Sequence, residues 1–342
     1  MRRREFIGFL GAATAWPLAV RAQQPERLRR IGVLMPFIPG DAEAEARKAM
    51  LERTLDQSGW TVGRNLHIDY RFAGGTAEPL RRDAADLVAL MPDVIVTIGS
   101  LTIAPVQQVT RTIPIVFTNL ADPVGAGFVQ SLARPGGNAT GFTNFDYSMS
   151  GKWVELLKQI APSATRAVVL REPATAAGIG QFAAIQSVAQ SIGLELTPIG
   201  VRDVGEIERG IASFARSGNG GLIVTAGGTA FHRDLIIKLA ARHRLPAIYP
   251  FRYYAMGGGL ITYGPDTLDP IRRAAGYVDR ILERNYANAS AANASAANAS
   301  AGATPVGKGV SSTSYPRSAR RLRSRFFCRS LALASKWLGP RS

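Results

Sequence analysis

The sequence predicts an α/β protein made of two successive units, each with a parallel β-sheet. Short apolar runs rich in β-branched residues, such as DVIVTIG at 93–99, have the length of strands buried on both faces. Segments with helical periodicity separate these runs, and such alternation is typical of a parallel sheet covered by helices. The alternation starts near residue 30 and restarts near residue 150, so the 342 residues provide two units of ordinary domain size.

The first unit alternates strictly between strands and helices. Gly59 ends a polar-faced helix at 41–59, and a second helix at 77–90 has an apolar stripe. A third helix lies between the last two strands. The predicted strands of this unit are 31–37, 65–73, 93–99 and 113–120.

The second unit repeats this pattern. Trp153 and Leu157 lie on the apolar side of a helix at 150–162, and Ile271 and Val278 lie on the inner stripe of a helix at 268–285. The predicted strands are 166–172, 194–201, 221–227, 246–250 and 258–264, with helices near 176–192, 203–216 and 229–243.

The positive charge of the chain is concentrated at its two ends. Of the formal net charge of +16, residues 1–22 carry +3 and residues 305–342 carry +9, which leaves +4 for the body at 23–304. A body of ordinary charge does not indicate a nucleic-acid partner, although the total alone would.

The amino terminus has the pattern of a secretory signal peptide. Arg2, Arg3 and Arg4 precede an apolar stretch at 6–20, and cleavage after Ala22 would leave a mature chain that starts at Gln23. The RREFI segment resembles a twin-arginine export signal. The alternative is an uncleaved membrane anchor. No later segment reaches 18 apolar residues, so we expect a periplasmic protein with no stable membrane insertion.

The chemistry of catalysis is not evident in this sequence. The three histidines, His67, His232 and His243, lack metal-ligand spacing, and there is no nucleophile elbow or phosphate-binding loop. The single cysteine, Cys328, excludes an internal disulfide. We therefore expect no enzyme activity, no cofactor and no bound metal.

Two hydroxyl groups follow the central strand of the first unit. Ser100 and Thr102 lie where DVIVTIG passes into a helix, and ligands of open α/β sheets bind beyond the carboxyl ends of strands. The free N–H groups and dipole of a helix N-terminus favour an anion. The hydroxyls are therefore candidates for holding a carboxylate, and the alternative is that they cap their own helix.

Four segments closely resemble one family: ALMPDVIVTIGS, the long run from TRTIPIVF to GFT, HRLPAIYPFRYYAMGGGLITYGPD and RRAAGYVDRIL. That family is the periplasmic substrate-binding proteins of ABC importers, some of which bind tryptophan or related amino acids. The resemblance covers the chain to about residue 284. It implies a type I periplasmic-binding fold, with two Rossmann-like lobes around a ligand cleft and hinge closure on the ligand.

The resemblance also implies candidate ligand contacts. In the first lobe they are the turn Ser100–Leu101–Thr102 and Asp122, whose carboxylate is a candidate for a ligand ammonium or else shapes a turn before Pro123. In the second lobe this chain has Glu172-Pro173 where many members have Asn-Pro, and a Gly-rich turn where many have an acidic or Asn-containing one. The remaining candidates are Thr175, Gly228, Thr229, Phe37, Phe251 and Arg252, the last of which is equally compatible with a solvated charge.

The resemblance predicts the domain boundaries as well. We expect a first lobe of residues 23–147 plus 257–285, a second lobe of 148–256 and a disordered tail of 286–342. The tail departs from the family because an Asn-Ala-Ser-Ala-Ala repeat and a basic segment stand where a strand and a helix normally follow.

The predicted function is that of a monomeric extracytoplasmic receptor. It would bind a small amino acid or amide-like solute and deliver it to the permease subunits of an ABC importer. Two alternatives remain open: the effector-binding sensor domain of a transcription regulator, which would need a helix-turn-helix where the signal peptide stands, and a secreted α/β enzyme.

Overall fold

The computed structural model describes the backbone of residues 28–300 and the side chains of residues 28–285. Two five-stranded sheets, all of whose strand pairs are parallel, define two lobes. The α/β class with parallel sheets predicted from the alternation of apolar strands and helices is therefore confirmed.

The first sheet has the strand order β2-β1-β3-β4-β5. Its strands are β1 (Arg29–Met35), β2 (Leu66–Phe72), β3 (Val94–Ile98), β4 (Ile115–Ala121) and β5 (Ala139–Phe145). The helices between them are α1 (Ala42–Gln57), α2 (Ala77–Ala89) and α3 (Ser100–Val109).

The second sheet has the strand order β10-β9-β8-β6-β7. Its strands are β6 (Arg166–Arg171), β7 (Glu195–Gly200), β8 (Gly220–Val224), β9 (Ala247–Tyr249) and β10 (Ile261–Thr262). The helices of this part are α4 (Ser148–Ile160), α5 (Ala176–Ser191), α6 (Val204–Ala215), α7 (Arg233–Arg242) and α8 (Arg252–Met256), with a 3₁₀ turn at Gly228–His232. A long helix, α9 (Asp269–Ser300), follows.

Helices cover both faces of the first sheet. On one face, Leu51 and Leu55 of α1 pack in the same cluster as Ile271 and Val278 of α9. On the other face, α2 and α3 pack against the sheet through a separate apolar cluster. The five residues of β3 are all buried, which is why four of them are apolar and β-branched and Thr97 is the one polar residue.

The core of the second lobe is one apolar cluster around Trp153. The Trp153 side chain is wholly buried, and its indole Nε1 donates to the carbonyl oxygen of Tyr263 at 2.7 Å. Burial of the indole removes a large apolar surface from water, and the hydrogen bond satisfies its only polar atom.

Two features of the chain differ from the sequence-based expectations. The strand β5 was not predicted, and the strand predicted at 258–264 is limited to Ile261–Thr262. That strand pairs with β9 of the second sheet, so the predicted return to the first lobe at residue 257 is too early. The return is made by α9, whose apolar residues pack on the first sheet.

The tail also begins differently from the prediction. The sequence predicts disorder from residue 286, but α9 continues through the Asn-Ala-Ser-Ala-Ala repeat to Ser300. Alanine has the highest helix propensity, which accounts for helix in a segment with little to bury. The signal peptide and the rest of the tail lie outside the described residues. Between residues 28 and 300, no helix has the length and apolar character needed to span a membrane.

Candidate functional site

A cleft lies beyond the carboxyl ends of the strands of both sheets. It contains about 790 Å³ of empty space, a volume that includes part of its open mouth. The first lobe contributes residues at or just beyond the carboxyl ends of β1, β3, β4 and β5, and the second lobe contributes residues beyond β6, β8 and β9. Ligand sites in open α/β sheets occupy this position, so the cleft is the candidate site.

The N-terminus of α3 forms one wall of the cleft. Ser100 and Leu101 line it, as the sequence predicts for this turn. Gly99, the residue before the helix, has φ of 81°, a conformation that glycine adopts without strain, and it provides no side chain to cap the first turn. That first turn contains no acidic residue, so the helix dipole there is not offset by its own carboxylate.

Thr102 does not belong to the cleft. Its side chain is wholly buried, and its hydroxyl donates to the carbonyl oxygens of Ile98 at 3.1 Å and Gly99 at 3.0 Å. The hydroxyl therefore bonds the backbone at the start of α3, and the proposal that Thr102 faces a ligand is wrong for this geometry.

Aromatic side chains from both lobes line the cleft. Phe37 of the first lobe meets Phe231 of the second edge-to-face, with 6.2 Å between ring centroids. The ring centroids of Phe251 and Tyr253 lie 5.5 Å apart on the second lobe, and Phe145 lines the cleft at the carboxyl end of β5. Burial raises the pKa of Tyr253 well above its ordinary value, so its phenol is neutral at physiological pH. The predicted aromatic contacts Phe37 and Phe251 thus lie at the cleft.

Several polar residues of the cleft were not predicted, and two of them, Arg47 and Asn119, each have a buried atom without a partner among the described residues. Arg47 of α1 lines the cleft and is only 3% exposed. Its guanidinium Nη1 donates to two oxygens of Glu43, the carboxylate Oε2 at 2.7 Å and the backbone carbonyl oxygen at 2.6 Å. The Nε atom of Arg47 is buried without a partner among the described residues. The guanidinium also lies 4.9 Å from the centroid of the Phe37 ring.

The second of these residues is Asn119, which interrupts β4. It has φ of 55°, a conformation tolerated by Asn better than by most residues, and the pairing of β4 with β5 changes register beside it. Its Nδ2 donates to the carbonyl oxygen of Thr267 at 3.0 Å, while its Oδ1 is buried without a partner in the described part of the chain. No signal in the sequence separates Asn119 from an ordinary strand residue.

Polar side chains on the second-lobe wall bond to their own lobe. Thr175 caps α5 by accepting from the backbone N–H of Gly178 at 3.0 Å. Gln181 is wholly buried and bonds the backbone of Ala226 through both ends of its amide. Gly228, a predicted contact, lines the cleft through its backbone.

Four further predicted contacts lie outside the cleft lining. Asp122 accepts from the backbone N–H of Gly125 at 2.8 Å, so its carboxylate shapes the turn. Glu172 lies beside Gly228, and its Oε2 is 2.8 Å from the position that a Cβ added to Gly228 would take. The Thr229 hydroxyl is buried and donates to the carbonyl oxygen of Thr225. Arg252 is exposed at the start of α8, as expected of a solvated charge.

An ion pair outside the cleft lining joins the two lobes. Arg233 Nη1 of the second lobe lies 2.8 Å from Asp41 Oδ2 of the first lobe, with side chains 19% and 10% exposed. The other oxygen of Asp41 accepts from the backbone N–H of Glu43 and caps α1. The two lobes are thus in contact through a charged pair and through the Phe37–Phe231 ring pair.

Comparison with known proteins identifies the family. Residues 30–296 match the family described as ABC transporter substrate binding protein. The chain belongs to this family. The resemblance seen in the sequence motifs is therefore confirmed. The protein is a substrate-binding protein, and the cleft between its two lobes is its candidate solute site. Within residues 28–285, no group of three or more His, Cys, Asp or Glu side chains is arranged to hold a metal ion.

Three relatives illustrate the similarity. A tyrosine-binding protein of Clostridioides difficile is 26% identical over 222 residues, which are 65% of this chain and 64% of that protein's length. A conserved domain protein of Vibrio cholerae has a TM-score of 0.69 and 26% identity, over 75% of this chain and 86% of that one. A domain of Streptococcus pneumoniae, solved with L-Trp, has a TM-score of 0.68 and 21% identity, over 75% and 85% of the two chains.

Proposed function

We propose that the protein is an extracytoplasmic receptor that captures a small solute between its lobes and delivers it to the permease subunits of an ABC importer. The observation that supports this most directly is the cleft, because both lobes line it and residues from each meet across it. Membership of the substrate-binding family agrees with a receptor that performs no chemistry, and it does not favour the sensor or enzyme alternatives.

The proposed solute is an amino acid or an amide-like molecule with an aromatic or apolar body. Its polar end would lie at the N-terminus of α3, where Ser100 and the free N–H groups of the first turn are available. Its body would lie among the rings of Phe37, Phe231 and Phe251. Relatives named for tyrosine binding or solved with L-Trp support this class of solute.

A thermal-shift screen of amino acids, amides and small carboxylates, followed by calorimetry on the hits, tests this proposal. Ser100→Ala should weaken a hit by about tenfold, the expected loss for one buried ligand hydrogen bond, with little change in the ligand-free melting temperature. Thr102→Val is the matched control, because it should lower the melting temperature and leave affinity unchanged. A screen without hits, or equal binding by Ser100→Ala, would count against the site.

We propose that export precedes function, with the signal peptide cleaved after Ala22 and the mature monomer released to the periplasm. Changing Arg3 and Arg4 together to Lys should leave the precursor in the cytoplasm if the twin-arginine route carries it. Cell fractionation measures this directly, and unimpaired export of the variant would indicate the general secretory route.

A further inference from the structure

The described residues that line the cleft include a positively charged side chain but no negatively charged one. Arg47 is the one residue charged at neutral pH among the described residues that line the cleft, and none of those residues is an Asp or a Glu. The two carboxylates predicted for a ligand ammonium, Asp122 and Glu172, lie outside this lining. At the first-lobe wall an ammonium would therefore lose water without gaining a carboxylate of the lining as its counter-ion, since the Glu172 carboxylate lies beside Gly228 on the second lobe.

Two independent features of the first lobe favour a negatively charged group instead. The N-terminus of α3 lacks a side-chain cap and an acidic first turn, so its dipole and N–H groups are available to an anion. Arg47, buried to 97%, lines the same cleft and retains an Nε atom without a partner in the described part of the chain. Glu43 offsets part of its charge, which leaves hydrogen bonding as the main contribution of Arg47.

The second lobe complements this polar wall with apolar surface. Its polar residues at the cleft, Thr175 and Gln181, are used in bonds to the backbone of their own lobe. The rest of that wall consists of small Ala and Gly residues and of the rings of Phe231, Phe251 and Tyr253, and the Tyr253 phenol is neutral. A ligand would therefore keep its charged head on the first lobe and its ring under the second lobe.

We infer that the cleft selects an aromatic monocarboxylate, and that the carboxylate rather than an amino group decides binding. This inference rests on the proposed receptor function and narrows its ligand class. Removing the amino group deprives the ligand of hydrogen bonds to neutral acceptors such as Asn119 Oδ1, which costs about tenfold in affinity at most. Removing the carboxylate leaves a buried, unpaired cation beside Arg47, which costs at least about a hundredfold.

Three matched probes test this inference by calorimetry on the mature chain. Phenylalanine carries both groups, 3-phenylpropionate lacks the amino group, and 2-phenylethylamine lacks the carboxylate. We expect the first two to bind within about tenfold of each other, and the amine to bind at least about a hundredfold more weakly. An amine that binds as tightly as 3-phenylpropionate would overturn the inference.

Two single substitutions make the test specific for the protein. Asn119→Asp keeps a residue that tolerates positive φ and adds a carboxylate to the cleft, so it should weaken 3-phenylpropionate and strengthen the amine, each by at least about tenfold. Asp122→Asn is the matched control, because it removes the carboxylate that the sequence predicts for a ligand ammonium. It should leave the affinities for all three probes unchanged. Weaker phenylalanine binding by Asp122→Asn would show that this carboxylate holds an ammonium and would refute the inference.

The outcomes separate this inference from the proposed function. If none of the three probes binds while other compounds stabilise the protein in the thermal-shift screen, the ligand class is wrong and the receptor function stands. If neither the probes nor any compound of the screen binds, both are refuted.

Discussion

The ion pair between Arg233 and Asp41 should hold the two lobes together. Arg233→Gln removes the charge and shortens the side chain, and Asp41→Asn removes the charge while keeping an oxygen that can cap α1. Because the two atoms are 2.8 Å apart and the side chains are only 19% and 10% exposed, the pair is partly desolvated. Truncation of such a pair costs about 2–5 kcal/mol when fully buried, and we expect about 1–3 kcal/mol here after allowing for the remaining solvent.

That free energy acts on the equilibrium between closed and open lobes. A change of about 1–3 kcal/mol shifts an equilibrium by about 5- to 150-fold, so each variant should populate an open state and release ligand faster. The double variant should be no more open than either single one, because the two residues act through one interaction.

Double electron–electron resonance, which measures the distance between two spin labels, detects this shift. Spin labels at Arg53→Cys on α1 and Glu208→Cys on α6, both exposed, report on the two lobes once Cys328→Ser has removed the native thiol. The variants should show a second distance population that the parent lacks. Arg272→Gln is the control, since its pair with Asp269 is exposed and lies within one helix. An unchanged distance distribution in Arg233→Gln, or additive effects in the double variant, would refute the argument.

Three further predictions concern closure and stability. Gly75→Ala should weaken binding of a hit by at least about tenfold in calorimetry. The added Cβ would lie 2.4 Å from the Phe231 ring, and Gly75 has φ of 76°, which strains an alanine. Equal affinity would contradict the closed arrangement of the lobes. Burial raises the pKa of Tyr249 from 10.0 to about 12, so its contribution to stability is complete below pH 10 and is lost as pH rises toward 12. Tyr249→Phe should therefore move alkaline unfolding, followed by circular dichroism, to higher pH, and an unmoved midpoint would argue against this cause. Trp153→Phe should lower the free energy of unfolding in urea by about 1–3 kcal/mol by leaving the Tyr263 carbonyl unpaired, whereas wild-type stability would show that water replaces the indole.

The elements that the sequence predicts well are those whose burial is uniform. β3 is buried at every residue, and a run of β-branched residues followed by Gly99 marks both the strand and the turn after it. The position of Ser100 at the cleft follows from that assignment, because the end of a central strand is where the fold opens. Strong local patterns thus locate one wall of the site.

The elements that the sequence does not predict depend on contacts far along the chain. β5 contains Gly141 and several half-buried polar residues, and it is held as a strand by its pairing with β4. Arg47 has the pattern of a solvated charge on a polar-faced helix, and only the tertiary fold buries it. Asn119 looks like a strand residue until its positive φ is known. Local propensity does not encode these environments.

The discontinuity of the first lobe has a consequence for how the protein is made. The second sheet is encoded in one uninterrupted stretch, 166–262, whereas the core of the first lobe needs Ile271 to Leu282 of α9. A ribosome delivers the chain from the amino end, where domains usually finish first. Here the order is reversed: the lobe encoded in the middle can complete its core while one face of the first sheet, which α1 covers in part, still lacks its last helix. A nascent chain halted before residue 269 should therefore expose the uncovered part of that face to chaperones.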